Sequence, residues 1–154
     1  MVRIIGKVGM FIVMGIGLAW AVLFAGYYIN VELNKHKAER EIRHYLQAVQ
    51  QQDYNKAVRL FGEPLDGDRL QQLQPFRLVK YSQVKADFDD GCVCSGRAKL
   101  TFQTDGLPVT VDAVIALRAE YKPGQICAGA TKAQHSALPA LAEWNKVNCG
   151  SSFL

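Results

Sequence analysis

The chain has no run of lysine and arginine interleaved with aromatics, which excludes the usual electrostatic footprint of a nucleic-acid binder. Its net charge of +4 is mild and suits an anionic membrane surface without demanding a polyanion. It has no internal repeat and no low-complexity tract, so 154 residues have room for one domain and an appendage. Metal-ligand spacing is missing as well. Cys92 and Cys94 form a C-x-C pair rather than the C-x₂₋₄-C that opens a zinc site, His135 has no partner, and His36 and His44 fall on a polar helical stretch. No metal, no cofactor and no catalytic signature is read from the sequence, and no enzyme is expected.

Charge is also absent from residues 8–29, and this absence is a positive signal. A bilayer core needs about 20 helical residues, so the segment is long enough to span. Arg3 and Lys7 precede it, and Tyr27 and Tyr28 close it at the level of an aromatic belt. The rival reading is a cleaved signal peptide, because Ala19-Trp20-Ala21 satisfies a small-x-small rule. The apolar run continues beyond that site through Ile29, which favours an uncleaved anchor. Arg3 and Lys7 argue for a cytoplasmic amino end. Lys35, Lys37, Arg40 and Arg43, mixed with Glu32, Glu39 and Glu41, pull the other way. The short amino tail and the four cysteines favour a domain in the periplasm or another extracytoplasmic space. The expected divisions are a cytoplasmic tail 1–7, a membrane helix 8–29, a helical stalk 30–41, an α+β domain 42–134 and a tail 135–154. Gly9, Gly15, Gly17 and Gly26 allow close approach of a second helix.

The stretch after the span is polar all round, with Glu32–His36 and Glu39–Arg43 in the favourable i to i+4 order. An apolar stripe then begins at Ile42, Tyr45, Leu46 and Val49, with helical spacing. Asp53 can cap a following turn. Ala57, Val58, Leu60 and Phe61 continue the stripe until Gly62 and Pro64 stop it.

Beyond this the period changes to two. Leu107, Val109, Val111, Ala113, Ile115, Leu117, Ala119 and Tyr121 share one face of a predicted strand. Cys92, Cys94, Ala98, Leu100 and Phe102 share the same face of the strand before it. The Asp105-Gly106 turn between them fixes a register that opposes Phe102 to Val109, Leu100 to Val111 and Ala98 to Ala113. The other face then pairs Lys99 with Asp112 and Thr101 with Thr110. A preceding strand, 76–88, is predicted to return through a three-residue loop at Asp89-Asp90-Gly91. It would oppose Phe88 to Cys92, Ala86 to Cys94 and Leu78 to Phe102, with a bulge or open edge where Lys80 and Ser82 fall inward. Lys122 to Gln125 reads as a turn, 126–134 as a weaker fourth strand, and 138–150 as a short helix. The fold class is α+β: a long helix carrying an antiparallel meander. Arg77, Lys85, Arg97, Lys99 and Arg118 lie on the outer sheet face with Asp87, Asp112 and Glu120.

For the cysteines, residues two apart in a strand are about 6.6 Å apart, at the upper limit for a disulfide. A bond between Cys92 and Cys94 is therefore expected to be strained. Cys149 lies on a tail that can reach, so Cys127–Cys149 is the preferred bridge, with Cys92 or Cys94 as the other possible partner of Cys149. Tyr45, Lys80 and Ser82 are the residues that would line an interior pocket.

Residues 45–65, "YLQAVQQQDYNKAVRLFGEPL", resemble the opening helices of the NTF2-like (cystatin-like) superfamily. The resemblance covers Tyr45 to about Gln134 and implies a curved antiparallel sheet after the helices. Enzymes of that superfamily, such as ketosteroid isomerases, place acids and tyrosines in the cone beneath the sheet. Here Asp87, Asp112 and Glu120 point outward, and only Lys80, Ser82 and Thr104 are polar and inward, so no active site carries over. Membrane-anchored relatives without chemistry, including inner-membrane subunits of type IV secretion systems, imply an assembly role among envelope proteins or by self-association. A second resemblance is architectural. Type IV pilins join a basic leader, a long apolar-then-amphipathic helix, a four-stranded antiparallel sheet and a carboxyl-terminal disulfide loop. "GKVG|MFIVMGIG" reads as a leader cut after Gly9, with Met14 where that family carries glutamate. This gives the alternative of a pilin-like subunit. A small-molecule-binding or enzymatic NTF2-like cone is the remaining alternative. The leading expectation is a single-pass, non-catalytic binding or assembly subunit in the inner (cytoplasmic) membrane.

Overall fold

The computed structural model describes residues 2–73, 77–103, 108–129 and 138–149, with side chains from residue 14 onward and, in the last segment, from Leu141. The Asp105-Gly106 turn, Thr104, Leu107 and His135 lie outside the described residues. The elements are α1 (Val2–Gln50), α2 (Tyr54–Leu60), α3 (Gly67–Gln72), β1 (Arg77–Asp89), β2 (Cys92–Gln103), β3 (Val109–Leu117), β4 (Pro123–Gly129) and α4 (Leu138–Asn148). Two compact units divide the chain, Met1–Asn34 and Lys35–Leu154.

The first unit is helical. It carries one stretch long and apolar enough to cross a membrane. From residue 14 to 29 every side chain is exposed, including Leu18, Trp20, Leu23, Phe24 and Ile29. Trp20 and Phe24 stack along one face, 5.8 Å between ring centres.

The second unit is an α+β domain. It starts at Lys35, within the polar stretch read from the sequence as a stalk, and Ala38 is already fully buried. Ile42, Tyr45, Leu46 and Val49 line the buried face of α1, as their spacing predicts. Each such side chain taken out of water contributes about 1.5–3 kcal/mol. The helix stops at Gln50 because Gln52 turns left-handed (φ 61°), letting the Asp53 amide reach back to the Ala48 carbonyl at 2.9 Å. Asp53 then caps α2, its carboxylate accepting from the Lys56 amide at 3.0 Å. Asp66 does the same for α3 through the Asp68 and Arg69 amides. The loop after α2 is fixed by the Gly62 amide donating to the Pro123 carbonyl at 2.8 Å.

The sheet is a four-stranded antiparallel meander in the order β1-β2-β3-β4. Its central hairpin has the expected register: Phe102 opposes Val109, Leu100 opposes Val111, Lys99 opposes Asp112 and Ala98 opposes Ala113. Ala98, Leu100, Phe102, Val111, Ala113, Ile115 and Leu117 are buried. The Thr101 and Thr110 hydroxyls meet on the outer face at 2.9 Å.

Several expectations are corrected. The β1–β2 turn has two residues, Asp90 (φ 47°) and Gly91 (φ 84°), so that Asp89 opposes Cys92 and Ala86 opposes Gly96. Between the Asp87–Ser95 pair and the Asp89–Cys92 pair, β2 carries one residue more than β1. That extra residue flips the alternation. Val93 is buried, Cys94 is exposed and Cys92 is only half-buried, instead of both cysteines facing the core. The mirror case occurs twice on β1, where register shifts fall between Leu78 and Lys80 and between Ser82 and Lys85. They leave Lys80 exposed and Ser82 half-buried rather than inward. β3 ends at Leu117. Ala119–Tyr121 form a 3-10 turn in which Glu120 and Tyr121 are left-handed (φ 61° and 63°). The Pro123-Gly124-Gln125 stretch, read as a turn, instead opens β4, where proline at the first strand position has no ladder donor to lose.

Candidate functional site

The residues expected to line an interior pocket are not brought together. Tyr45 is fully buried on α1, its ring 5.0 Å from that of Phe61. Its hydroxyl donates to the Asn148 Oδ1 at 2.6 Å, and the Asn148 Nδ2 donates in turn to the Trp144 carbonyl at 3.2 Å. Burial raises the Tyr45 phenol well above the ordinary tyrosine range, so it stays neutral. Lys80 points to solvent and Ser82 is half-buried elsewhere on β1. The space beneath the sheet is filled by α4: Leu141 and Trp144 are buried, and Trp144 meets Phe102 edge to face at 4.9 Å. The indole Nε1 of Trp144 is buried without a hydrogen-bond partner among the described residues.

Polar groups on two helices instead serve the two edges of the sheet. Along β1, the two register shifts take Val79 and Val84 out of regular pairing with β2. From α1, Gln50 donates to the Val79 carbonyl at 2.6 Å and Arg43 to the Val84 carbonyl at 3.2 Å. Glu39 accepts from the Ala86 amide at 3.3 Å. At the other edge, Asn145 of α4 accepts from the Ala128 amide at 2.8 Å and donates to the Ala128 carbonyl at 2.9 Å. An uncovered edge is a template for another strand, and these contacts spend part of both edges internally.

The outer face of the sheet has a shallow depression open to solvent, bordered by Lys85, Arg97, Lys99, Asp112 and the exposed Val114. Two of its three cations are paired. Arg97 forks onto Asp87 with two bonds of 2.9 Å, and Lys99 lies 3.9 Å from Asp112. A second open depression lies between α3 and α4, bordered by Arg69, Gln72, Glu143 and Lys146. Among the described residues, no three histidine, cysteine or acidic side chains gather as metal ligands would.

Both cysteine pairs are bonded. Cys127 joins Cys149 across a separation of 22 residues, and Cys149 is fully buried. Cys92 joins Cys94 directly, contrary to the expectation for a straight strand: their Cα atoms are 5.4 Å apart, because the bulge shortens the rise between them. Sequence reasoning missed Asn145 and Asn148, although Leu141, Trp144, Asn145 and Asn148 share helical spacing. It also missed Glu39, Arg43 and Gln50, which sit beside the apolar stripe on α1 and carry no sign of their backbone targets.

No protein-family model matches the chain, and neither does any curated protein or solved structure.

Proposed function

We propose that this protein is a single-pass, membrane-anchored subunit or accessory factor of a cell-envelope complex. Its α+β domain works outside the cytoplasm by binding rather than catalysis. One observation carries the reading: α1 is a single continuous helix whose residues 14–29 are apolar and exposed, while Ile42, Tyr45, Leu46 and Val49 farther along it are core residues of the domain. Residues 14–29 belong to the charge-free run 8–29, long enough to span a bilayer, and an exposed apolar helix of that length is stable in lipid and not in water. Both cysteine pairs lie at disulfide-bonding distance, which supports an extracytoplasmic location. The interior beneath the sheet is occupied by Tyr45, Phe102 and Trp144, which leaves the exposed faces as the means of recognition. An NTF2-like ancestry, suggested by residues 45–65, fits this reading as a domain that keeps helices before an antiparallel sheet and uses it for assembly.

The test is membrane fractionation with protease protection, followed by crosslinking in native membranes. The expected result is a chain that resists carbonate extraction, has a domain cleaved only from the extracytoplasmic side, retains Met1 and crosslinks to other envelope proteins. A chain released by carbonate, or a domain protected from that side, overturns the proposal.

A pilin-like subunit is the second reading. It is favoured by the conjunction of a 49-residue amino-terminal helix, a four-stranded antiparallel meander and the Cys127–Cys149 bridge near the carboxyl end. A mature protein beginning at Met10, recovered from sheared filaments, selects this reading over the first.

A further inference from the structure

The two disulfides are placed for different work. Cys127–Cys149 ties β4 to the end of α4, and one of its sulfurs belongs to a fully buried residue. Cys92–Cys94 joins two residues of one strand, separated by Val93 alone, beside the exposed Asp90-Gly91 turn. A bridge confines the unfolded chain in proportion to the logarithm of the loop it closes, so a loop this small contributes about half as much to stability as the longer one. It also holds no second element in place. Val93 itself is 7% exposed, so the strand is seated by its own side chain whether the bridge is open or closed. Exposure at Cys94 supplies what a structural disulfide lacks, an unobstructed approach for an attacking thiolate.

We infer that Cys92–Cys94 is a thiol–disulfide exchange site that oxidises a dithiol carried by a protein partner. The partner's first thiolate attacks the Cys94 sulfur. The S–S bond breaks, and Cys92 leaves as a thiolate and takes a proton. The partner's second thiolate then attacks the partner sulfur of the mixed disulfide, and Cys94 leaves and is protonated. The partner gains a disulfide, the chain gains two thiols, and one pair of electrons has moved. Local charge selects the partner. Asp89 stands directly across from Cys92, Asp90 follows it, and the Arg97 guanidinium is engaged by Asp87 instead of offsetting them. A negative surround favours a dithiol flanked by lysine and arginine over an anionic thiol such as glutathione.

The experiment uses the full chain in detergent, first oxidised with excess oxidised glutathione, then freed of all glutathione by gel filtration, and mixed under argon with a reduced two-cysteine peptide bearing flanking lysines. Acid quenching, alkylation and peptide mapping follow. The expected result is one equivalent of peptide disulfide per chain, with label at Cys92 and Cys94 and none at Cys127 or Cys149. A Cys92→Ser/Cys94→Ser chain, melting about 5 °C below the unaltered protein, yields no peptide disulfide. A peptide with flanking glutamates reacts about tenfold more slowly at low salt, and the difference shrinks at high salt. Label at all four cysteines together, unreacted peptide, or free thiols at Cys92 and Cys94 after the oxidation step overturns the inference. Equal rates for the two peptides overturn its charge selection.

Discussion

Asn145 occupies the place of a fifth strand for Ala128: its amide oxygen accepts from the Ala128 N–H at 2.8 Å and its amide nitrogen donates to the Ala128 C=O at 2.9 Å. Ala128 is 5% exposed, so without Asn145 both backbone groups would be buried and unsatisfied. Asn145→Ala is expected to cost about 2–3 kcal/mol, measured by thermal or denaturant unfolding of the full chain in detergent. The freed β4 edge is also expected to promote concentration-dependent association by light scattering. Asn145→Asp retains the acceptor and loses the donor, and its stability should fall between the two.

The central hairpin could be read from the sequence because two signals agreed. Apolar residues at alternate positions put Leu100, Phe102, Val111 and Ile115 on one face, and only one register also paired Lys99 with Asp112 and Thr101 with Thr110. At Cys92 and Cys94 the alternation was read straight through an inserted residue, which leaves no mark in composition. On β1 the inward fall of Lys80 and Ser82 in a straight alternation does signal a bulge, and the bulges found there turn Lys80 outward, away from Tyr45. The contacts of Asn145, Gln50 and Arg43 have a different cause for their silence. A polar helix residue that satisfies a distant peptide group looks like any solvated one until the helix is docked.

The two disulfides predict unequal effects on stability. Closing a separation of 22 residues contributes about 3 kcal/mol in the chain-entropy treatment. Replacing both Cys127 and Cys149 by alanine is expected to lower the melting temperature by roughly 10 °C and to raise hydrogen exchange in α4 first. The same treatment gives about 1.2–1.6 kcal/mol for the loop closed by Cys92 and Cys94, so the corresponding double replacement there should shift it by roughly half as much, about 5 °C. Calorimetry on the two variants and the parent distinguishes these outcomes.

At Gly96 the Ile42 side chain of α1 packs tightly on the sheet. A methyl group placed there meets the Lys85 carbonyl oxygen at 2.8 Å and the Ile42 Cδ1 at 3.0 Å. The carbonyl belongs to the β1–β2 ladder and cannot retreat without breaking pairing, so Gly96→Ala is expected to destabilise by about 1–3 kcal/mol. Adding Ile42→Val removes one of the two obstructions. It should not restore the parent stability, since the backbone obstruction persists and Ile42→Val itself costs about 0.5–1.5 kcal/mol. A double variant as stable as the parent would show that the sheet moves freely away from α1.

Tyr45 gives the domain a pH dependence of defined sign. Its phenol is buried against Phe61 and bonded to Asn148, and burial lifts its pKa well above the ordinary value of about 10. Below pH 10 the phenol is neutral in the folded and unfolded chains alike, so the stability it contributes is fully present. Above pH 10 the unfolded chain ionises this group while the folded chain does not. The unfolded state then binds fewer protons, and stability falls by about 1.4 kcal/mol per pH unit until the folded value is reached. Tyr54 is shifted upward as well, chiefly by burial, but it is the same in a Tyr45→Phe chain and cancels in the comparison. At pH 7 that variant is expected to be less stable by about 1–2 kcal/mol, because the Asn148 oxygen loses its donor at a residue only 1% exposed. Between pH 10 and 11.5 its loss of stability should be shallower than the parent's, so the two curves converge. Parallel curves from urea unfolding across this range would mean that the Tyr45 phenol ionises in the folded protein and that the core beneath the sheet admits water.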